Sequence, residues 1–247
     1  MEYTDKRFER EAWVIGEDAL GRLSRSTVAL FGVGGVGSYA AEALARSGVG
    51  RVILIDNDTV SVTNINRQLC ALESTVGRPK TAVMAERMRD INPKIEVVCR
   101  QEFFLPENAS EFDFSEYDFV IDAIDTVSGK LAIAESAISA GVDMISCMGT
   151  GNKLDPTAFK VTDISKTNTC PLARVMRREL KKRGINHLKV VYSEEIAIKT
   201  GMTDGESGKP LPGSIAFVPP VAGLIAASEA VKSILSKTSD ERSEINE

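Results

Sequence analysis

Thr27-Val28-Ala29-Leu30-Phe31-Gly32-Val33-Gly34-Gly35-Val36-Gly37 is the stretch whose reading decides the fold. An apolar run of strand length ends in Gly32, Gly34 and Gly37. It passes into Ser38-Tyr39-Ala40-Ala41-Glu42-Ala43-Leu44-Ala45-Arg46, whose apolar positions recur at helical spacing. Strand, tight glycine turn and amphipathic helix make the first half of a dinucleotide-type βαβ unit. In that geometry Gly32 makes the turn, Gly34 lets backbone N–H groups approach a phosphate, and Gly37 lets the helix pack on the strand. The helix N-terminus adds unpaired N–H donors and the positive end of a dipole.

Outward from this unit, the pattern repeats. Arg51-Val52-Ile53-Leu54-Ile55-Asp56 is a continuous apolar run of the kind buried on both faces of a parallel sheet. Its closing acid lies about 20 residues beyond the glycines, the spacing at which a carboxylate meets a ribose hydroxyl. A polar loop then carries Asn64, Arg67 and Gln68, and Pro79 suits the first turn of a helix over 81–90 with Lys80 at its N-terminal end. Residues 94–100 read as a third strand, 117–125 as a fourth ending in Asp122 and Asp125, 127–140 as a helix and 143–147 as a fifth strand. Residues 159–164 and 188–192 look like antiparallel additions, with a basic helix between them. The reading is an α/β, Rossmann-like, doubly wound, mainly parallel sheet with added antiparallel strands and a C-terminal helix. One domain over 1–247 is expected. It divides into an N-terminal helical segment (1–26, with Phe8, Trp13, Ile15 and Leu20 as buried anchors), a nucleotide-binding core (27–149), a substrate-facing half (150–236) and a frayed tail (237–247).

Composition sets the outer limits. The 247 residues are 43% hydrophobic, enough for a large core, and the formal charge of −5 argues against nucleic-acid binding over the whole surface while leaving room for a local basic patch. Cysteines stand at 70, 99, 147 and 170 without a CxxC pair, so neither a disulfide framework nor zinc is expected and a reducing cytoplasm fits. Met1-Glu2-Tyr3-Thr4-Asp5-Lys6 has no apolar targeting segment. The one stretch apolar enough for a membrane, 214–235, contains Pro219-Pro220, Glu229 and Lys232. A packed helix is the preferred reading, membrane association the weaker one. Residues 199–213 read as a mobile loop.

The glycines with Asp56 alone suit a nicotinamide dinucleotide as well as ATP. Arg67 and Lys80, just past the second strand, would neutralise a β,γ-phosphate tail that NAD lacks. Asp125, at the end of the fourth strand, can hold Mg²⁺. Taken singly, each has a plainer reading: a salt-bridged Arg67, an exposed Lys80, Asp125 as the cap of the next helix. On one crevice rim together they favour ATP.

The ordered series Gly32-x-Gly-Gly-x-Gly37, Asp56-Asn57-Asp58-x-Val60-x₃-Asn64-x₂-Arg67-Gln68, Val76-Gly77-x-Pro79-Lys80 and Asp122-x₂-Asp125 resembles the E1-like adenylation fold. That family holds the ubiquitin-activating enzymes and the molybdopterin- and thiamine-pathway adenylyltransferases. The resemblance runs from about Arg7 to Gly149. It implies that Gly32, Gly34, Gly35, Gly37, Asp56, Asp58, Asn64, Gln68 and Asp122 belong to an ATP site. Asp56 would take the ribose, Arg67 and Lys80 the phosphates, and Asp125 the Mg²⁺. It also implies a homodimer in which Arg10 reaches the partner's ATP, giving Arg67, Lys80, Asp125 and Arg10 the catalytic roles.

The two CxxC pairs usual in the carrier-protein adenylyltransferases are missing. Instead 163–167, 170–184, 192–195 and 217–223 resemble the tRNA threonylcarbamoyladenosine dehydratase branch. This implies a ligase-type, ATP- and Mg²⁺-dependent cyclisation of the threonylcarbamoyl group on adenosine 37 of tRNA, with no carrier-protein partner. A sulfur-transfer (cysteine desulfurase) partner and a monovalent-cation site are left undecided. A carboxylate attacking the ATP α-phosphate and then a nucleophile on the substrate itself require no enzyme nucleophile, and no obvious one is present. Cys170, before the basic helix, is the sharp alternative as a thioester site, against a plain small residue at a helix start; Cys147 reads as core and the lone His187 as surface. Arg174, Arg177, Arg178, Lys181, Lys182 and Arg183 are tRNA-phosphate candidates, against the reading of a solvated face. Two other classes stay open: activation of the C-terminus of a small ubiquitin-like or sulfur-carrier protein, and a dehydrogenase or nucleotide sensor.

Overall fold

Short helices α1 (Glu9–Ile15) and α2 (Glu17–Leu23) lead into β1 (Thr27–Phe31), α3 (Gly37–Arg46) and β2 (Arg51–Ile55). The alternation continues through α4 (Lys80–Ile91), β3 (Glu96–Arg100), β4 (Phe119–Asp122), α5 (Val127–Ser139) and β5 (Met144–Cys147). The remaining elements are β6 (Phe159–Asp163), α6 (Pro171–Lys182), β7 (Lys189–Ser193) and α7 (Val218–Ser236). This computed structural model describes residues 5–203 and 211–237; the expected frayed tail and part of the 199–213 loop lie outside them.

The strands form one sheet in the order β3-β2-β1-β4-β5-β7-β6. Every pairing is parallel except β6 with β7. Only one of the two expected antiparallel additions is therefore antiparallel. The crossover through α6 brings β7 back beside β5 in parallel, Ser146 opposite Val190, and β6 folds onto its outer edge.

Strand alternation sends alternate residues into two cores. Val28, Leu30, Val52 and Leu54 pack with α3, α4 and α7 on one face. Ala29, Phe31, Ile53 and Ile55 pack with α5 and α6 on the other. Both faces are covered, which is why β1 and β2 read as unbroken apolar runs. On the second face Phe31 meets Phe104 edge-on at 4.8 Å and stacks on Phe114 at 5.6 Å, fixing the segment after β3 against the carboxyl end of β1. Strand order reverses at β1, between β2 and β4, so the crevice lies at their carboxyl ends.

The N-terminal segment departs from expectation. Gly16, at φ 86°, divides the expected single helix. Phe8 and Leu20 are buried, but Trp13 is 71% exposed. Phe8, Ala12 and Ile15 share one helical face on the core, and Trp13 falls on the other side. Arg7 is bonded to Asp5 at 3.0 Å.

The C-terminal helix starts at Val218 rather than 214, with Pro219 and Pro220 in its first turn, where a missing N–H costs nothing. Among the described residues α7 is the one helix long and apolar enough to cross a membrane, yet half of its most apolar window is buried inside the protein. Ala222, Ala226, Ala227 and Ala230 face the core. A Cβ on Gly223 would stand 2.1 Å from the Val36 carbonyl oxygen, so α7 and α3 touch backbone to backbone. That is the packing of a core helix.

Candidate active site

A cavity of about 620 Å³ opens at the carboxyl ends of β1, β2 and β4. Gly32, Gly34, Gly35, Asp56, Asp58, Asn64, Arg67, Gln68, Lys80 and Asp125 all line it. Residues scattered over about a hundred positions of the chain thus meet around one space, as the crevice rule predicts.

Gly32 has φ 89°, and a Cβ there would sit 2.7 Å from the Ala123 carbonyl oxygen. Backbone freedom and close approach both require glycine. Gly37 is needed for packing instead: its Cβ would fall 1.8 Å from the Gly32 carbonyl oxygen. It joins the helix to the turn and is not among the residues that line the cavity.

Asp56 closes the loop from the other side. Its two carboxylate oxygens accept from the Val33 N–H (2.6 Å) and the Asp58 N–H (2.8 Å). Burial pushes its carboxyl up, against those two N–H groups and the charge of Lys80. Each oxygen keeps lone-pair capacity toward the cavity, as a ribose-binding carboxylate needs. Lys80, buried as the first residue of α4, pairs with Asp58 at 2.7 Å. Arg67 is different: its Nη1 donates to the Thr63 carbonyl oxygen (2.8 Å) and to Asn66 Oδ1 (2.9 Å), both neutral. Its other guanidinium donors have no partner among the described residues. The charge is oriented and uncompensated, beside a glycine loop. Asn64 is partly committed, its Oδ1 accepting from the Ser61 N–H at 3.1 Å, and Gln68 is buried with its amide nitrogen near Gly34. Asp125 is exposed to the cavity.

Asp122 belongs elsewhere. It is wholly buried, with both oxygens 3.0 Å from Lys130 Nζ, and it also accepts from the Ser146 hydroxyl. Lys130 Nζ also donates to the Cys147 carbonyl oxygen at 2.7 Å. Asp122 therefore braces the ends of β4 and β5 beneath the cavity and makes no contact with it. Arg10 is exposed on α1 and outside the cavity lining.

Beyond the glycine loop the cavity continues past Cys147, Met148, Gly149 and Thr150 to Leu172 and to 212–214. None of these lining residues is charged.

The sequence pattern of the ThiF family matches residues 8–246. This chain belongs to the ThiF family. The tRNA threonylcarbamoyladenosine dehydratase of Bacillus subtilis is similar to it, 45% identical over 240 residues that cover 93% of this chain and 94% of that protein. The crystal structure of the Escherichia coli tRNA N6-threonylcarbamoyladenosine dehydratase in complex with ATP matches with a TM-score of 0.86 and 37% identity, covering 94% of each chain. The same Escherichia coli protein in complex with AMP matches with a TM-score of 0.85. The Rossmann-like architecture is thus that of a ThiF-family protein along nearly its whole length.

The basic helix of this ThiF-family chain is less free than its sequence suggests. Arg177 turns inward, donating to the Thr167 carbonyl oxygen (2.8 Å) and hydroxyl (2.6 Å). Arg178 and Lys182 pair with Glu179 at 2.9 and 3.0 Å, and Arg183 with Glu135 at 3.2 Å. Arg174 and Lys181 are exposed and have no acidic partner among the described residues. Cys170 is buried at the start of α6 in the second core, a poor position for a thioester. Cys147 is buried on the cavity floor, where burial pushes its thiol up to about 12. His187 is exposed, with Nδ1 3.2 Å from Asp163.

Sequence reasoning missed three parts of the site. Lys130, which braces the cavity floor through Asp122, is the one cation in an apolar helical run, a signal in itself once an acid-ended strand precedes it. Phe103 and Phe104 line the cavity from the segment after β3. The wall at 212–214 comes from a stretch that reads only as loop.

Proposed function

We propose that this chain binds ATP in the glycine-loop cavity and uses it to cyclise, with loss of water, the threonylcarbamoyl group of N6-threonylcarbamoyladenosine at position 37 of tRNA. The observation that carries the reading is Arg67: a guanidinium held by neutral acceptors, with free donors, at the rim of a cavity that also holds Gly34 and Asp56. Such a group is pre-aimed at a polyphosphate. Similarity at 45% identity over nearly the whole chain to the Bacillus subtilis dehydratase supports the choice of substrate.

Asp56 takes the ribose, Arg67 and Lys80 the β,γ-phosphates, and the substrate enters from the compartment near Thr150 and Leu172. The threonine carboxylate attacks the α-phosphorus, an acyl–adenylate forms and pyrophosphate departs. The carbamoyl group, already on the substrate, then attacks the activated carbonyl carbon; the acyl–oxygen bond breaks, AMP leaves with that oxygen, and a proton is released. Both first reactants are anionic, so positioning and cationic side chains supply the catalysis.

Mg²⁺ belongs to the reading through Asp125. Among the described residues no group of three or more His, Cys, Asp or Glu is arranged to hold a metal alone. One carboxylate contributed by Asp125 fits Mg²⁺ held mostly by phosphates and water. When bound it neutralises phosphate charge. Arg174 and Lys181 are the tRNA contacts favoured on α6. A homodimer with Arg10 contributed in trans accounts for an arginine exposed outside the cavity. Four free cysteines and a tRNA substrate suit the cytoplasm.

The test is incubation with ATP, Mg²⁺ and bulk tRNA, then nucleoside mass analysis. Loss of one water from threonylcarbamoyladenosine, dependent on ATP, is expected. An unchanged nucleoside together with adenylation of a Gly-Gly-terminated carrier protein would overturn the reading.

A further inference from the structure

Asn66 stands next to Arg67 in sequence. Its side chain is used at both ends. Oδ1 accepts from Arg67 Nη1 at 2.9 Å, and Nδ2 donates to the Ser214 carbonyl oxygen at 3.0 Å. Arg67 can only donate and a carbonyl can only accept, so the two partners determine which way the amide lies.

Ser214 is a fixed point. Its neighbour Gly213 is doubly bonded to Asn152: Asn152 N–H donates to the Gly213 carbonyl oxygen (2.8 Å), and Gly213 N–H donates to Asn152 Oδ1 (2.6 Å). Asn152 has φ 58°, the one positive φ outside glycine among the described residues, and its carbonyl oxygen also accepts from Ile198 N–H at 2.7 Å. A left-handed asparagine with three of its groups engaged holds a strained local geometry that its surroundings over-determine. On the other side Ile215 packs against the first core. Residues 212–214 are therefore held by Asn152 on one side and by the packing of Ile215 on the other, and they line the same cavity as the glycine loop.

We propose that Asn66 is a positioning residue for Arg67, referring the guanidinium to the anchored wall 212–214 so that its free donors point at the outer phosphates of ATP. The proposal rests on the reading of Arg67 as a phosphate ligand. Without Asn66, Arg67 retains only the Thr63 carbonyl, a single acceptor on its own loop, and nothing ties it to residues 212–214. The same bridge joins the phosphate end to the compartment that receives the second substrate, since one wall serves both.

Calorimetric titration of the intact protein with ATP and with AMP, each with Mg²⁺, tests this. Arg67 serves the outer phosphates, so Asn66→Ala is expected to weaken ATP about tenfold, the scale of one hydrogen bond to a charged group, and to leave AMP unchanged. Asn152→Gly keeps the left-handed backbone and removes the Oδ1 acceptor. It is expected to weaken ATP by a smaller factor, again with AMP unchanged, and to add nothing in the Asn66→Ala background. Wild-type ATP affinity in Asn66→Ala, or equal losses for ATP and AMP, would overturn the proposal. Wild-type protein that binds neither nucleotide would instead overturn the functional reading beneath it.

Discussion

Lys130 and Asp122 form an ion pair with both side chains fully inside the protein, Nζ standing 3.0 Å from each carboxylate oxygen. The Ser146 hydroxyl and the Cys147 carbonyl complete its hydrogen bonding. Removing one partner strands a charge without water. Lys130→Met is expected to cost about 3–5 kcal/mol of folding stability, the range for breaking a buried pair from one side. Urea unfolding of the variant beside wild type measures it; a cost below about 1 kcal/mol would contradict the burial.

Arg67 and Asp125 sit on the cavity rim, and neither supports the core. Arg67→Ala and Asp125→Ala are each expected to lower ATP-dependent nucleoside dehydration by about a hundredfold or more, the scale of losing one preorganised charge. Their unfolding midpoints should stay near wild type. For Asp125→Ala the residual activity should demand more Mg²⁺. Near-normal turnover in either variant would remove that residue from its role.

The basic helix divides by partnership. Arg174→Glu and Lys181→Glu are expected to weaken tRNA binding and to flatten its dependence on salt by about one phosphate contact each. Arg177→Glu should act on stability instead, because Arg177 caps carbonyls of the 164–167 turn. Filter binding across a salt series and thermal unfolding separate the two outcomes.

Glu42 of α3 lies mostly buried between Arg46, at 2.8 Å, and Arg87 of α4, at 2.7 Å. Burial pushes its carboxyl up, but the Arg87 and Arg46 hydrogen bonds and charges outweigh it and hold the group below its usual range. A folded value below the unfolded one gives stability that is fully present above the ordinary carboxylate range and is lost as pH falls through the folded value. Glu42→Gln should therefore be less stable than wild type at pH 7, and the difference should shrink between about pH 5 and pH 3. A constant difference across that window would mean the pair contributes nothing through charge.

The glycine loop, Asp56, Arg67, Lys80 and Asp125 are legible in the sequence because strand ends in a parallel sheet converge by rule, so position along the chain predicts position around the crevice. Trp13 is misread for want of the helical register, which puts Phe8, Ala12 and Ile15 on the inner face. Asp122 is misread because two acids at one strand end look alike, and only the approach of Lys130 from α5 shows which one is turned inward. The partners of the α6 cations, Glu179 apart, come from Glu135 and Thr167, and no periodicity in the helix announces them. The wall at 212–214 is invisible for a plainer reason: it has no regular structure, and its place is set by Asn66 and Asn152 from far away in the chain.

Gly223 lets α7 rest on the Val36 carbonyl, and Pro219 reaches Gly35, where an added Cβ would stand 3.1 Å from it. The phosphate loop is thus backed by a helix made almost two hundred residues later. During synthesis the ribosome completes the glycine turn early and its support late. A nascent chain in which α7 has not yet emerged carries the glycine turn without the Pro219 and Gly223 contacts that back it.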